Sequence, residues 1–234
     1  MSALIDYTSE ENYVIITLNN GKVNAISHEV IDSLNQLLDK AEAQKKVVIL
    51  TGQPDIFSAG YDLKSMTTSP ESALKLVTKG SKLSHRMLSF PTPIIAACTG
   101  HAIAKGAFLL LSTDYRLGAE GNFKIGFNEV LIGMTMHNAG VQIAKARLTP
   151  NYVNRSVNNA EMYSPKDAVT AGFLDKIVPE NQVLPTAIKI AEMFVKLNLK
   201  AHHQTKLKVR KTALRSLKKA IKKDAENGLN PPSK

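Results

Sequence analysis

A single carboxylate in an apolar run is the first chemistry this sequence offers. Glu129 lies in IGFNEVLIG with Asn128 as its polar neighbour. A carboxylate held among apolar side chains is partly desolvated, and that makes it a better base. The same stretch, Thr92 to Gly133, reads TPIIAACTGHAIAKGAFLLLSTDYRLGAEGNFKIGFNEVLIG. Ile94 to Cys98 is a short apolar strand, Thr99-Gly100 is turn chemistry, and Lys105-Gly106 opens an apolar helical segment that ends at Asp114. A helix starting at Lys105 aims its unpaired backbone N–H groups over the end of the preceding strand, where a developing oxyanion can be held.

Other elements must position these groups. Asn12 to Leu18 reads as a strand, and Gly21 to Asn24 is a turn into a helix over 28–43, whose Val30, Ile31, Leu34, Leu37, Leu38 and Ala41 form one apolar face. Lys46 to Thr51 reads as a fully buried strand. The loop Gly52 to Tyr61 after it holds Gly60 in a turn where a ligand can approach bare backbone. Ser69 to Leu88 is a charged helix expected near the pocket entrance, with Lys75, Lys79 and Lys82 on a solvated face. Beyond Gly133 the pattern is helical almost to the end, interrupted at Pro150, Pro165, Gly172 and Pro179. Alternating strands and helices argue for an α/β core with parallel strands.

With 234 residues and 44% hydrophobic content the chain can bury one sizeable core plus a small appendage. No apolar run approaches the roughly 18 residues of a membrane span. Met1 to Glu11 shows no basic-then-apolar leader, and the chain ends in Pro-Ser-Lys, not a peroxisomal Ser-Lys-Leu. The expectation is a soluble, cytoplasmic protein, bacterial by default. Cys98 is the only cysteine and reads as core packing. His202-His203 has no spaced acid or cysteine partners, so no metal site is expected. His101 reads as structural, and Asp114 as a structural partner after the helix.

Of the net charge of +10, +9 resides in Lys206 to Lys223, which contains nine Lys or Arg and no acid. Leu207, Leu214, Leu217, Ala220 and Ile221 make an apolar stripe, so this reads as one amphipathic helix packed on the body or on a neighbouring subunit. Its basic face is a solvated surface, a contact for a polyanionic ligand, or, third, a nucleic-acid surface, although it lacks interleaved aromatics for stacking. Residues 1–198 are expected to form the core and 199–234 the basic helical tail.

Four blocks, IFSAGYDLKSM (Ile56 to Met66), PIIAACTGHAIAKGAF (Pro93 to Phe108), DYRLGAEGNFKIGFNEVLIGM (Asp114 to Met134) and SPKDAVTAGFLDKIVP (Ser164 to Pro179), resemble the crotonase superfamily of enoyl-CoA hydratases and isomerases. The resemblance covers most of the chain. It implies an α/β crotonase (ClpP-like) spiral of ββα units with a helical C-terminal region, an acyl-CoA thioester as substrate, a role in fatty acid metabolism such as β-oxidation, no cofactor beyond the substrate's own coenzyme A, and a homotrimer or dimer of trimers. By position it implies that the amides of Tyr61 and Lys105 hold the thioester oxygen. It gives Val23, Ser58, Ala59, Gly60, Leu63, Lys64, Gly106 and Phe108 to the substrate surface, and implies that His137 shapes the acyl tunnel.

Hydratases of the family use two glutamates. Here the first position is Phe108, which cannot orient water or exchange a proton, and the second matches Glu129. A single glutamate in a Gly-Phe-Asn-Glu run resembles the mitochondrial-type Δ3,Δ2-enoyl-CoA isomerases. The competing expectations are a hydratase, hydrolase or lyase that places water by other groups, and a catalytically weak acyl-CoA-binding paralogue. Lys105, where many relatives have glycine, and Phe108 favour the latter.

Overall fold

The computed structural model describes residues 4–229. β1 (Ile5–Ser9) and β2 (Tyr13–Leu18) form an antiparallel hairpin, and α1 (His28–Ala43) follows. From there one unit recurs three times: a strand for a large sheet, a strand for a small sheet, then helix. β3 (Val47–Thr51) and β4 (Asp55–Ser58) precede α2 (Leu63–Thr68) and α3 (Pro70–Leu88). β5 (Ile94–Cys98) and β6 (Gly100–Ile103) precede α4 (Lys105–Leu111). β7 (Tyr115–Ala119) and β8 (Ile125–Gly126) precede a 3-10 turn at Val130–Ile132 and α5 (Asn138–Arg147). Then come α6 (Pro150–Val157), β9 (Met162–Tyr163), α7 (Pro165–Ala171), β10 (Lys176–Val178), α8 (Val183–Val195), α9 (Leu199–Val209) and α10 (Lys211–Asn227).

The large sheet has the order β1-β2-β3-β5-β7-β10 and is parallel except at β1. The small sheet has the order β4-β6-β8-β9 and is parallel except at β9. This is the spiral of ββα units that the resemblance implied. Parallel strands need both faces covered, and the side-chain alternation delivers that. Val48, Leu50, Ile94 and Ala96 join the core beneath α1, α3, α4 and α5, whereas Val47, Ile49, Ile95 and Ala97 pack under α8 with Val183, Ala187 and Ala191. No helix among the described residues is long and apolar enough to cross a membrane.

Four expectations change. Gly100 is not part of a turn: β6 begins there, after the single residue Thr99, because the chain crosses at once to the second sheet. The hairpin strand β1 and the short strands β9 and β10 have no counterpart in the sequence reading; β9 has only two residues and β10 three, too few for a period to register. Pro150 and Pro165 do not interrupt helices but start them, at positions where the missing N–H costs nothing. The basic tail is two helices, broken at Arg210, and its stripe is buried at Leu217, Ala220 and Ile221 but not at Leu207. α10 packs on α5 and α3.

Candidate active site

Three neighbouring parallel strands of the small sheet end at one edge, and each hands over one of the expected groups. Ser58, Ala102 and Ile125 are in register across β4, β6 and β8. Tyr61 lies just past the end of β4, Lys105 just past β6 and Glu129 just past β8. Carboxyl ends of parallel strands are where α/β folds collect ligand-binding loops. Gly60, at φ +112°, sits so close to the start of α4 that a Cβ there would lie 3.1 Å from the Ala104 Cβ and 3.5 Å from the Lys105 nitrogen. Ala104 itself holds φ +51°, a costly conformation for a residue with a side chain, which turns the chain sharply into α4. The amides of Tyr61 and Lys105 have no hydrogen-bond partner among the described residues, while those of Asp62 and Ala104 do, with the Ile26 and Gly126 carbonyls. Two adjacent, unspent donors are the form an oxyanion hole takes.

Tyr61, Ala104 and Glu129 border a cavity of about 480 Å³, lined also by Ala59, Met134 and His137, while Lys105 lies behind this lining. Among the described residues Glu129 is the sole carboxylate on the cavity wall. Its Oε2 and the neighbouring Asn128 Oδ1 are buried without hydrogen-bond partners among the described residues. Burial pushes the Glu129 carboxyl up to about 7, against weaker support for its charge from the backbone amides of Glu129 and Asn128. A base tuned to neutrality and facing a cavity is poised for proton transfer. His137 caps the start of α5 and lies edge-on to Phe108, and burial lowers its imidazole to about 4. It is therefore neutral at working pH. Phe108 is fully buried behind it, stacked on Phe127 at 4.3 Å between ring centroids.

The sequence profile of the enoyl-CoA hydratase/isomerase family matches residues 8–234. The chain belongs to the enoyl-CoA hydratase/isomerase family. A crystal structure of an enoyl-CoA hydratase/isomerase family protein from Pseudomonas syringae superposes with a TM-score of 0.94 at 55% identity, covering 95% of this chain and 97% of that one. A probable enoyl-CoA hydratase of Bacillus subtilis is 31% identical over 81% of this chain and 75% of its own length. The mitochondrial enoyl-CoA delta isomerase 1 of rat is 29% identical over 96% of this chain and 79% of its own.

In this hydratase/isomerase-family chain the remaining expected substrate residues divide. Ala59 and Leu63 line the cavity with Tyr61. Val23 and Lys64 are exposed and are not among its lining residues, Val23 accepting the Ala59 amide at 3.0 Å. Ser58, Gly106 and Phe108 are placed differently from the surface role expected of them. Ser58 is buried, its hydroxyl donating to the Asn24 carbonyl at 2.8 Å and accepting from the Gly60 amide at 3.2 Å, so it shapes the turn from behind. Gly106 is buried against the Ser58 backbone, and the Phe108 ring is enclosed by aromatic neighbours.

His101 accepts the Lys124 amide at 3.0 Å and stacks edge-on to Phe123, a structural role. Cys98 is in the core, where burial pushes its thiol up to about 12. Two residues escaped the sequence reading. Asn24, fully buried, donates to the Ile56 and Phe57 carbonyls and braces the loop before Tyr61. Asp224 accepts the Asn138 and Ala139 amides, each at 2.8 Å, and so fixes the start of α5 beside His137. An acid in a lysine-rich tail carries no local signal of that contact.

Proposed function

We propose that the protein is a Δ3,Δ2-enoyl-CoA isomerase. The observation that carries the reading is Glu129 as the single carboxylate on the cavity wall among the described residues, with an apolar, enclosed Phe108 at the position where a second one would stand. The Glu129 carboxylate takes a proton from C2 of a 3-enoyl thioester. The C–H electron pair delocalises into a dienolate whose oxygen charge is met by the Tyr61 and Lys105 amides, and Glu129 then returns the proton to C4, leaving the double bond between C2 and C3. One base serves both steps because it carries the same proton in and out. The coenzyme A of the substrate is the only cofactor this reaction requires, and homotrimeric assembly belongs to the same reading. The unpartnered Asn128 Oδ1 and the neutral His137 favour hydratase activity as the second reading, since polar groups beside Glu129 can hold a water.

The test is conversion of a 3-enoyl-CoA to its conjugated 2-enoyl isomer, with hydration of a 2-enoyl-CoA measured alongside. Wild type is expected to isomerise and not hydrate, and Glu129→Gln to lose about 10³-fold in kcat, within the range for a general acid–base group. Hydration without isomerisation would establish the second reading; binding without either reaction would leave an acyl-CoA-binding paralogue.

A further inference from the structure

The Lys105 side chain is a separate matter from its amide. It turns back into the protein and is 1% exposed. Nζ donates to the Gly80 carbonyl at 2.6 Å and the Ser84 hydroxyl at 2.7 Å, both on α3, and stands 5.9 Å from the centre of the Tyr61 ring. Among the described residues no carboxylate lies within ion-pair distance of it. Tyr61 leans on the same part of α3: its hydroxyl reaches the Val77 carbonyl at 3.4 Å, and any Cβ at Gly80 would collide with its ring. Both residues that present free amides are thus tied by their side chains to one stretch of one helix.

The charged neighbours leave Lys105 without compensation. Tyr61 faces it from the loop after β4, and His137 from the start of α5, where the Lys105 charge helps keep the imidazole neutral. Glu129 is near enough to raise the Tyr61 phenol. On α3 the other charges are engaged elsewhere or exposed: Lys75 with Glu71, Lys79 with Asp32, Arg86 with Asp39 and Glu42, His85 towards Leu214 and Lys218, and Lys82 in solvent.

We propose that the Lys105 side chain is a positioning residue for enolate formation: it pins the start of α4 to α3 where the two amides converge, and its unpaired positive charge is answered by the enolate oxygen as that forms. An ammonium buried with no acid is unfavourable in the resting protein, and burial lowers it to about 7. Along the reaction the negative charge passes from the Glu129 carboxylate, which makes no ion pair with Lys105, to the enolate oxygen at the Lys105 amide, so the interaction strengthens towards the transition state and acts on kcat more than on KM. This rests on the enolate-forming reading of the site given above.

Wild type, Lys105→Met, Lys105→Arg and Ser84→Ala are compared in two assays across pH. One follows isomerisation of a 3-enoyl-CoA. The other follows exchange of the C2 hydrogens of a saturated acyl-CoA in D2O, which reads enolate formation whether or not a double bond moves. Wild type is expected to give a bell, rising as Glu129 loses its proton and falling as Lys105 loses its own. Lys105→Met is expected to lower kcat and exchange about 30- to 300-fold with KM within about threefold, comparable to losing one oxyanion donor, and to abolish the alkaline limb. Lys105→Arg is expected to recover part of kcat with no alkaline limb, and Ser84→Ala to move that limb to lower pH.

A Lys105→Met enzyme with wild-type kcat and pH profile would overturn the proposal. So would a loss of kcat that leaves the alkaline limb in place and that arginine does not relieve, the pattern of a packing defect. Should the methionine variant fail to fold, an unmoved limb in Ser84→Ala overturns it. Wild type that exchanges C2 hydrogens without moving a double bond would sink the isomerase reading alone, and the exchange rates would then decide the Lys105 question. Wild type that does neither would overturn both.

Discussion

Lys105 and Lys206 are both buried lysines, 1% and 6% exposed, in very different company. Lys206 reaches from α9 into the gap between α3 and β5, donating to the Phe90 carbonyl at 2.9 Å, the Thr92 carbonyl at 3.1 Å and the Asp114 carboxylate at 2.7 Å. Arg210 meets the other Asp114 oxygen at 3.0 Å, and Asp114 also accepts the Ile94 amide. Arg147 spends its donors on the Leu111 and Thr113 carbonyls at the end of α4. The cavity beside this cluster is of comparable volume, about 590 Å³, yet apart from His202 Nδ1 its buried polar groups are spent on one another and on carbonyls. Around the smaller cavity they are not: among the described residues Glu129 Oε2 lacks a donor, the Tyr61 and Lys105 amides lack acceptors, and the Lys105 ammonium, packed on Tyr61 behind the lining, lacks an acid. Unspent polar groups, not cavity size, separate the chemical region from the one that fastens the tail to the body.

Removing the acid should break the comparison most forcefully. Asp114→Ala leaves Lys206 and Arg210 buried with carbonyls alone, and is expected to cost about 3–5 kcal/mol in urea unfolding, the usual consequence of stranding one side of a buried pair. An unchanged midpoint would mean that the cluster is solvated and carries no structural load. Asp224→Ala should come next, at about 2–3 kcal/mol, because it orphans the first amides of α5 and releases α10 from them. Since α5 begins beside His137, the same variant is expected to raise KM for an acyl-CoA; a stability loss with unchanged KM would separate the tail from the pocket.

On the chemical side, Glu129→Gln should do the reverse and stabilise. The folded carboxyl titrates at about 7 and the unfolded one at 4.5. The native state therefore keeps its proton where the unfolded state has lost it. That advantage is complete below about pH 4.5 and is lost as pH rises through 7. The amide has no charge to bury. It is expected to exceed wild type by about 1–3 kcal/mol at pH 8 and to match it at pH 4; equal stability at both pH values would mean that Glu129 is solvated.

How far the sequence anticipates this depends on whether a signal is local. The helix over 28–43, the buried strand expected over 46–51 and the helix start at Lys105 are carried by periodicity and β-branched runs, and the structure has them there, the strand beginning one residue later at Val47. Glu129 is conspicuous in the sequence because its own neighbours desolvate it. The small sheet is different. β8 and β9 are two residues each, and their place is set by pairing with β6 and with each other. The Lys105 side chain is harder still to foresee: its acceptors are 25 and 21 residues away in sequence, on a helix whose exposed face reads as ordinary charged surface. Asp114 was expected to be a structural partner, but that it would gather Lys206 and Arg210 from a tail read as a solvated basic face depends on long-range packing.

The smallest expected effect is the most discriminating. Lys206→Met leaves Asp114 with Arg210 and one amide, and leaves the Phe90 and Thr92 carbonyls without the Lys206 donor, so a loss of about 1–3 kcal/mol at pH 7 is expected. Lys105→Met leaves nothing comparable. The Gly80 carbonyl lies inside α3, and the Ser84 hydroxyl four residues on can turn to it, so the acceptors satisfy one another. The methionine also removes a charge that is buried unpaired. Since the folded lysine titrates at about 7 and the unfolded one at 10.5, wild-type stability from this group rises with pH across that interval. At pH 7 and below, Lys105→Met should therefore be within about 1 kcal/mol of wild type or above it, narrowing towards pH 10. Paired urea titrations of the two methionine variants at pH 6.5 and 9.5 would show whether one lysine is kept for the fold and the other against it; equal losses at both sites would remove the distinction.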